Sequence, residues 1–145
     1  MTPEEYKKTN CSSCTSVVTS MAKISVDEIP WKDPIKENKV FWVFKDKYPV
    51  TEGHLLFVPK KPTMPSLTTC FRAAWLEGLN QVDNGTCTGY NIGQNNGKDA
   101  GQTIMYPHVH LILRREGDLG RYENGTPYDP QGGVRNIIPG KGQYK

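Results

Sequence analysis

Between residues 66 and 82, apolar side chains at Leu67, Phe71, Ala74, Trp75, Leu79 and Val82 recur at three- and four-residue spacing. That period is the mark of a helix with one buried face, and it is the only long one in the chain. The segments available to cover that face are short and rich in β-branched or aromatic residues. Val40-Phe41-Trp42-Val43-Phe44 and His54-Leu55-Leu56-Phe57-Val58 lie before it, and residues 86–92 and 108–113 lie after it. A turn segment holding Pro49 and Gly53 joins the first pair, and the polar segment 93–101 joins the second. Strands, then a helix, then strands give an α+β class with an antiparallel sheet of about five strands and one main helix. Val134-Arg135-Asn136-Ile137-Ile138 is a further extended candidate.

The rest of the chain is less regular. Thr2-Pro3-Glu4-Glu5 places a capping threonine, a proline at the first helical position and a glutamate three residues after the cap, which predicts a short N-terminal helix ending near Asn10. Residues 14–37 contain Pro30 and Pro34 and read as a loop-rich connection with one short turn of helix. With 145 residues the chain suits a single compact unit over 1–118. The Gly-, Pro- and Asn-rich extension 119–145 would not fold alone and is expected to pack on that unit.

Composition narrows the function classes. A net charge of +3, from 18 Lys and Arg against 15 Asp and Glu, is too mild to announce specific nucleic-acid binding, yet it suits small phosphorylated ligands. Neither a membrane span nor a secretory signal is visible, so a soluble, cytoplasmic protein is expected. The four cysteines are Cys11 and Cys14 as C-x-x-C, Cys70 in the helix and Cys87 in a strand. They lack the density of a disulfide scaffold.

The segment Tyr106-Pro107-His108-Val109-His110-Leu111-Ile112-Leu113 carries the strongest chemical signal. Strand side chains alternate, so Tyr106, His108, His110 and Ile112 share one face, with the two histidines roughly 6–7 Å apart along the backbone. One imidazole can attack phosphorus while the other stabilises charge or protonates a leaving group. The same spacing also fits two histidines that are merely hydrogen-bonded or that bind a metal. Asn95-Asn96-Gly97-Lys98-Asp99-Ala100-Gly101-Gln102-Thr103 offers backbone N–H, amide and hydroxyl donors for phosphate oxygens, though Asn and Gly are also what turns use. Asp46, at a strand end, is placed to accept hydrogen bonds from both ribose hydroxyls, or is a solvated surface carboxylate.

Taken together and in order, these pieces resemble the histidine-triad (HIT) family over about residues 11–118. The matching pieces are Cys11-x-x-Cys14, Asp46-x-x-Pro49-x-x-x-Gly53-His54-x-Leu56 with Pro59-Lys60, and Asn95-x-Gly97-x-x-Ala100-Gly101-Gln102-Thr103. The histidine strand, Arg114 and Gly117-Asp118 follow. The resemblance implies a HIT-like fold and an enzyme, a nucleotide hydrolase or nucleotidyltransferase. His108 would attack the α-phosphorus of a dinucleoside polyphosphate or nucleotide phosphoramidate to form a nucleotidyl-histidine. It further implies that His110 sits near the leaving group, that Asn95, Gly101, Gln102 and Thr103 hold phosphate, that Asp46 holds the ribose, and that apolar side chains near Val43 and Phe44 border the base. Tyr106 stands where the family usually has the first of three histidines. A tyrosine still supplies the backbone carbonyl that orients the middle imidazole. The alternative is a catalytically weak nucleotide-binding protein.

The resemblance also raises structural zinc, held in some family members by the C-x-x-C, the histidine of Gly-His and the first triad histidine. Here Cys11, Cys14 and His54 supply three ligands, whereas structural zinc is nearly always held by four protein groups. Two reduced, packed cysteines and no required cofactor are therefore expected. Short family members commonly pair through the central helix, which implies a homodimer, with the tail 132–145 reaching the partner's site.

Overall fold

A computed structural model describes residues 29–126 and 132–142. The expected N-terminal helix and the Cys11/Cys14 pair lie outside the described residues. Five strands form one antiparallel sheet: β1 (Lys36–Glu37), β2 (Phe41–Lys45), β3 (Leu55–Pro59), β4 (Gly89–Gly93) and β5 (Val109–Arg114), in the order β1-β2-β3-β5-β4. One long helix, α1 (Met64–Asp83), joins β3 to β4. The α+β class, the antiparallel sheet and the single main helix are as the sequence predicts. The fifth strand is the short β1, cut from the segment expected to be loop, while Val134–Ile137 forms a 3-10 helix rather than extended chain. With two glycines before it and Pro139-Gly140 after it, that stretch has no neighbouring strand to pair with, and local turns satisfy its backbone instead.

The helix starts two residues earlier than the periodicity indicates. Thr63 is its N-cap, with its hydroxyl accepting from the Ser66 N–H, and Pro65 sits in the first turn, where its missing N–H costs nothing. Its buried stripe is Leu67, Cys70, Ala74 and Gly78, rotated away from Trp75 and Leu79, which are 56% and 43% exposed. Counting large apolar residues therefore locates the helix and most of its buried face, since Leu67, Phe71, Ala74 and Val82 pack on the core, but it wrongly adds Trp75 and Leu79. Small residues line the contact because the sheet comes close: a Cβ on Gly78 would lie 2.5 Å from the Tyr90 ring. Cys87, expected in a strand, is buried just before β4, and neither it nor Cys70 is in a disulfide.

The two faces of the sheet have different fillings. On the helix side Val43, Phe57, Leu67, Cys70, Ala74, Cys87, Val109, Leu111 and Leu113 form one apolar cluster. On the other side Phe44, Leu56, Val58 and Tyr106 form a second, covered in part by Ile29, Trp31 and Trp42. β5 serves both: Val109, Leu111 and Leu113 are buried under the helix, and His110 and Ile112 alternate onto the opposite face. Full burial of an aliphatic side chain stabilises by about 1.5–3 kcal/mol, so the alternate residues of this strand hold the sheet against the helix. Beyond β5, the Arg114 guanidinium grips Asp118 at 2.9 and 3.1 Å, and reaches Asn91 Oδ1 and the Gly132 carbonyl. The Arg114 and Gly117-Asp118 pieces of the sequence motif thus tie the end of β5 to β4 and to residue 132.

Candidate active site

His108, at the threshold of β5, and His110, within it, project onto the face away from the helix, their ring centroids 5.0 Å apart. The register puts Leu56 of β3 opposite His110, so His54, two residues earlier, shares that face. A cleft of about 880 Å³ opens there, lined among others by Asp46, Asn95, Thr103, His108 and His110. The sequence-derived residues Gly101 and Gln102 border it as well. The structure therefore brings His108, His110, Asp46, Asn95, Gly101, Gln102 and Thr103 to one place.

Hydrogen bonds assign a tautomer to each imidazole. His108 Nδ1 lies 2.8 Å from the Tyr106 carbonyl oxygen. A carbonyl can only accept, so Nδ1 carries the proton and Nε2 keeps its lone pair. His54 Nδ1 accepts the Val50 N–H at 3.1 Å, which leaves the proton of neutral His54 on Nε2. That nitrogen is 3.0 Å from His110 Nδ1 and 3.4 Å from Asp46 Oδ2. His110 Nδ1 consequently accepts, and His110 Nε2 is a donor. The two cleft histidines thus present opposite faces to a ligand, a lone pair on His108 and an N–H on His110.

All three imidazoles favour the neutral form. Burial pushes His108 below its ordinary value against the opposing pull of the Tyr106 carbonyl and Asp46. Burial also lowers His54, again opposed by Asp46. His110 falls furthest, to about 4, through burial first and then the neighbouring His108 and His54. At neutral pH a nucleophilic nitrogen is therefore available without prior deprotonation.

Tyr106, expected where the family has a histidine, does not line the cleft. Its ring packs with Phe44, Leu56 and Val58, and its hydroxyl donates to the Pro59 carbonyl at 2.6 Å. Burial holds that hydroxyl protonated, its pKa raised to about 12, so the bond to β3 persists across the working pH range. The side chain anchors the residue while its carbonyl orients His108.

The loop of residues 95–103, expected to hold phosphate, is a folded unit. A 3-10 turn (Lys98–Ala100) ends at Gly101, whose φ of +89° is left-handed backbone that glycine adopts freely. The Gln102 carboxamide is spent inside the loop, accepting from the Gly97 N–H and donating to the Ile104 and Met105 carbonyls. Gln102 braces the loop, whereas Asn95 and Thr103 are exposed and make no side-chain hydrogen bond to another described residue. Asp46 uses Oδ1 to accept the Tyr48 N–H, closing the turn after β2, and turns Oδ2 toward His54.

Two features escaped the sequence. His54 is legible only as a metal ligand until the β3–β5 register places it against His110. Trp31 lies in a segment without periodicity, yet its indole sits edge-on to His108 at 4.8 Å and 6.1 Å from Phe44. His108 is in consequence only 8% exposed, and does not stand on an open strand face. Val43, expected near the base, belongs to the helix-side core, because neighbours on a strand cannot both face one cleft.

Asp46, His54 and His110 offer ligand atoms within 4.8 Å of one another, the only such cluster among the described residues. His54 and His110 already share a hydrogen bond at 3.0 Å, with Asp46 in ion-pair reach of His54 at 3.4 Å, and three groups are one short of the four that structural zinc takes. Cys11 and Cys14, the other two expected ligands, lie outside the described residues.

The fold and this cleft define a class of proteins in which an antiparallel sheet under one long helix presents strand histidines to an open cleft. The HIT domain model matches residues 28–117, well over half of the chain, and the protein belongs to the HIT family. It is 37% identical over 102 residues to an uncharacterized HIT-like protein of Methanocaldococcus jannaschii, covering 66% of this chain and 78% of that one. It is 30% identical over 97 residues to the asymmetrical bis(5'-nucleosyl)-tetraphosphatase of Schizosaccharomyces pombe, covering 62% of this chain and 52% of that enzyme. The match to the nitrilase and fragile histidine triad fusion protein of Caenorhabditis elegans, 37% over 94 residues, spans 57% of this chain and 20% of that longer one. Among solved structures, a zinc-bound histidine triad family protein from Mycobacterium smegmatis superposes with a TM-score of 0.57 at 25% identity, covering 84% of this chain and 86% of that one. No helix among the described residues is long and apolar enough to cross a membrane.

Proposed function

We propose that this protein is a nucleotide hydrolase or nucleotidyltransferase working through a nucleotidyl group on His108. The observation that carries the reading is the pair of opposite tautomers, a lone pair on His108 Nε2 beside an N–H on His110 Nε2. Nε2 of His108 forms a bond to the α-phosphorus as the bond from phosphorus to the leaving group breaks. The leaving group is a nucleoside phosphate from a dinucleoside polyphosphate or an amine from a phosphoramidate. His110 donates a hydrogen bond through Nε2 to the departing atom, so that a nucleoside phosphate leaves as its anion and an amine leaves with a proton taken from solvent, and Asn95 and Thr103 bind the phosphate oxygens. Water, or another acceptor, then displaces His108, releasing the nucleoside monophosphate group and the acceptor's proton. The name of the fission-yeast relative, a bis(5'-nucleosyl)-tetraphosphatase, points to the first substrate class.

A second reading, a nucleotide binder with little turnover, draws on the burial of His108 behind Trp31. A turnover screen over adenosine and guanosine dinucleoside polyphosphates and phosphoramidates, run with His108→Ala alongside, separates the two. Turnover by wild type that vanishes in the variant supports the enzyme, and binding without turnover supports the second reading.

The exposed apolar strip of Met64, Trp75, Leu76 and Leu79 on α1, together with the edge strand β4, is the surface through which two copies would pair. The expected mass is then twice the 16.3 kDa of one chain.

A further inference from the structure

We infer that Trp31 is the nucleobase platform of the cleft, so that the base is held by stacking on its indole. This rests on the nucleotide reading above and adds to it the residue that reads the base and the manner of reading.

An aromatic platform must keep a face that a ligand can cover, and it must stand within one sugar of the atom that meets the α-phosphorus. Tyr48, the other aromatic that lines the cleft, keeps an exposed ring but has the Lys47 ammonium over it at 5.7 Å and no ring contact with His108, and the apolar residues under this part of the cleft fail the first condition. Phe44 is 3% exposed and Leu56 2%, and Val43 faces the helix. Trp31 meets both conditions. It is half-buried, lines the same cleft as Asp46, Asn95, Thr103 and His108, and its ring centroid is 4.8 Å from that of His108. Its other neighbour, the Phe44 ring at 6.1 Å and a 31° tilt, supports the indole from the sheet side. A ligand phosphate at His108 therefore has its ribose beside Asp46 and its base against Trp31.

Stacking reads the π surface of a base rather than its hydrogen-bonding edge. The platform therefore prefers purines to pyrimidines and separates adenine from guanine poorly. It also holds the leaving side of the substrate to no particular chemistry.

The test compares equilibrium binding of AMP and of ribose 5-phosphate, which lacks the base, to wild type, Trp31→Leu and Trp31→Phe by calorimetry. Leucine keeps apolar bulk and removes the ring, while phenylalanine keeps a ring, so a loss of packing and a loss of stacking give different results. In wild type, AMP is expected to bind at least about tenfold tighter than ribose 5-phosphate, the size of effect one base–aromatic stack supplies. Trp31→Leu should erase most of that ratio while leaving ribose 5-phosphate binding within about twofold. Trp31→Phe should retain most of it. If the ratio survives in Trp31→Leu, the base is held elsewhere and the inference is wrong while the nucleotide reading stands. A wild-type ratio near one also overturns it. If wild type binds neither ligand, the nucleotide reading fails and the inference falls with it.

Discussion

The two faces of β5 and of His108 just before it are made from alternate residues of one segment, and they respond to opposite demands. Val109, Leu111 and Leu113 face the helix, are at most 3% exposed, and answer only to packing. His108 and His110 face the other way, are kept neutral by burial, and are positioned by hydrogen bonds, His108 donating to the Tyr106 carbonyl and His110 accepting from His54. Substitutions on one face should therefore cost stability and on the other activity, and the sharpness of that division is open to measurement.

The largest effect is expected at His108. His108→Ala should lower turnover by more than about 10³-fold, ~4 kcal/mol in barrier, with the thermal midpoint and AMP affinity nearly unchanged. Turnover within tenfold of wild type would end the assignment of His108 as nucleophile. On the opposite face, Leu111→Ala removes a fully buried side chain beneath α1 and should cost about 2–5 kcal/mol of folding stability in denaturant titrations. A loss below 1 kcal/mol would mean that the helix-side core is not what holds the sheet. His110→Ala should slow substrates with poor leaving groups by about 10²-fold or more, and substrates with good ones less. Uniform slowing across a leaving-group series argues against its donor role.

The fold was more legible than the site. Alternation in residues 108–113 and helical spacing in 66–82 survive in any arrangement that buries them, so class, main helix and four of the five strands could be read directly, whereas the short β1 could not and the extended candidate at 134–138 is a 3-10 helix. The helix face was legible only in part: Leu67, Phe71, Ala74 and Val82 do pack on the core, but Cys70 and Gly78 complete the face in place of Trp75 and Leu79, and only the close approach of Tyr90 explains the glycine. His108, His110, Asp46 and Asn95 were visible through their spacing within recognisable segments. The His54–His110 contact depends on the register of two strands that are far apart in sequence, and Trp31 depends on where an irregular segment happens to cross the sheet. Neither leaves a local pattern.

Smaller effects sharpen the electrostatic side of the same contrast. His54, His108 and His110 all have folded-state values below the ordinary histidine value near 6.5, with His110 at about 4. Between those values the unfolded chain binds more protons than the folded one. This part of the stability is complete above pH ~6.5 and is lost as pH falls toward 4. His110→Gln should flatten the acid side of a plot of thermal midpoint against pH, and an unchanged slope would show that His110 is not held neutral by the fold. The acid limb of kcat/KM should likewise lie below pH ~6.5. Smallest in its bearing on the chemistry is the assembly. Light scattering at micromolar concentration should give twice 16.3 kDa, and Trp75→Glu should reduce it to one copy. A wild-type mass of one chain would leave the exposed strip on α1 without a partner copy.

The central claim, that one face of β5 carries a covalent nucleophile, is tested most directly by trapping the adduct. Wild type is mixed with a substrate bearing a good leaving group, so that breakdown of the nucleotidyl-enzyme is the slow step, and quenched within one turnover. Intact-mass and peptide measurements should then find one nucleoside monophosphate group per chain, attached to His108 and absent from His108→Ala. An adduct on another residue, or turnover by wild type with no modified histidine at any time point, would contradict the account.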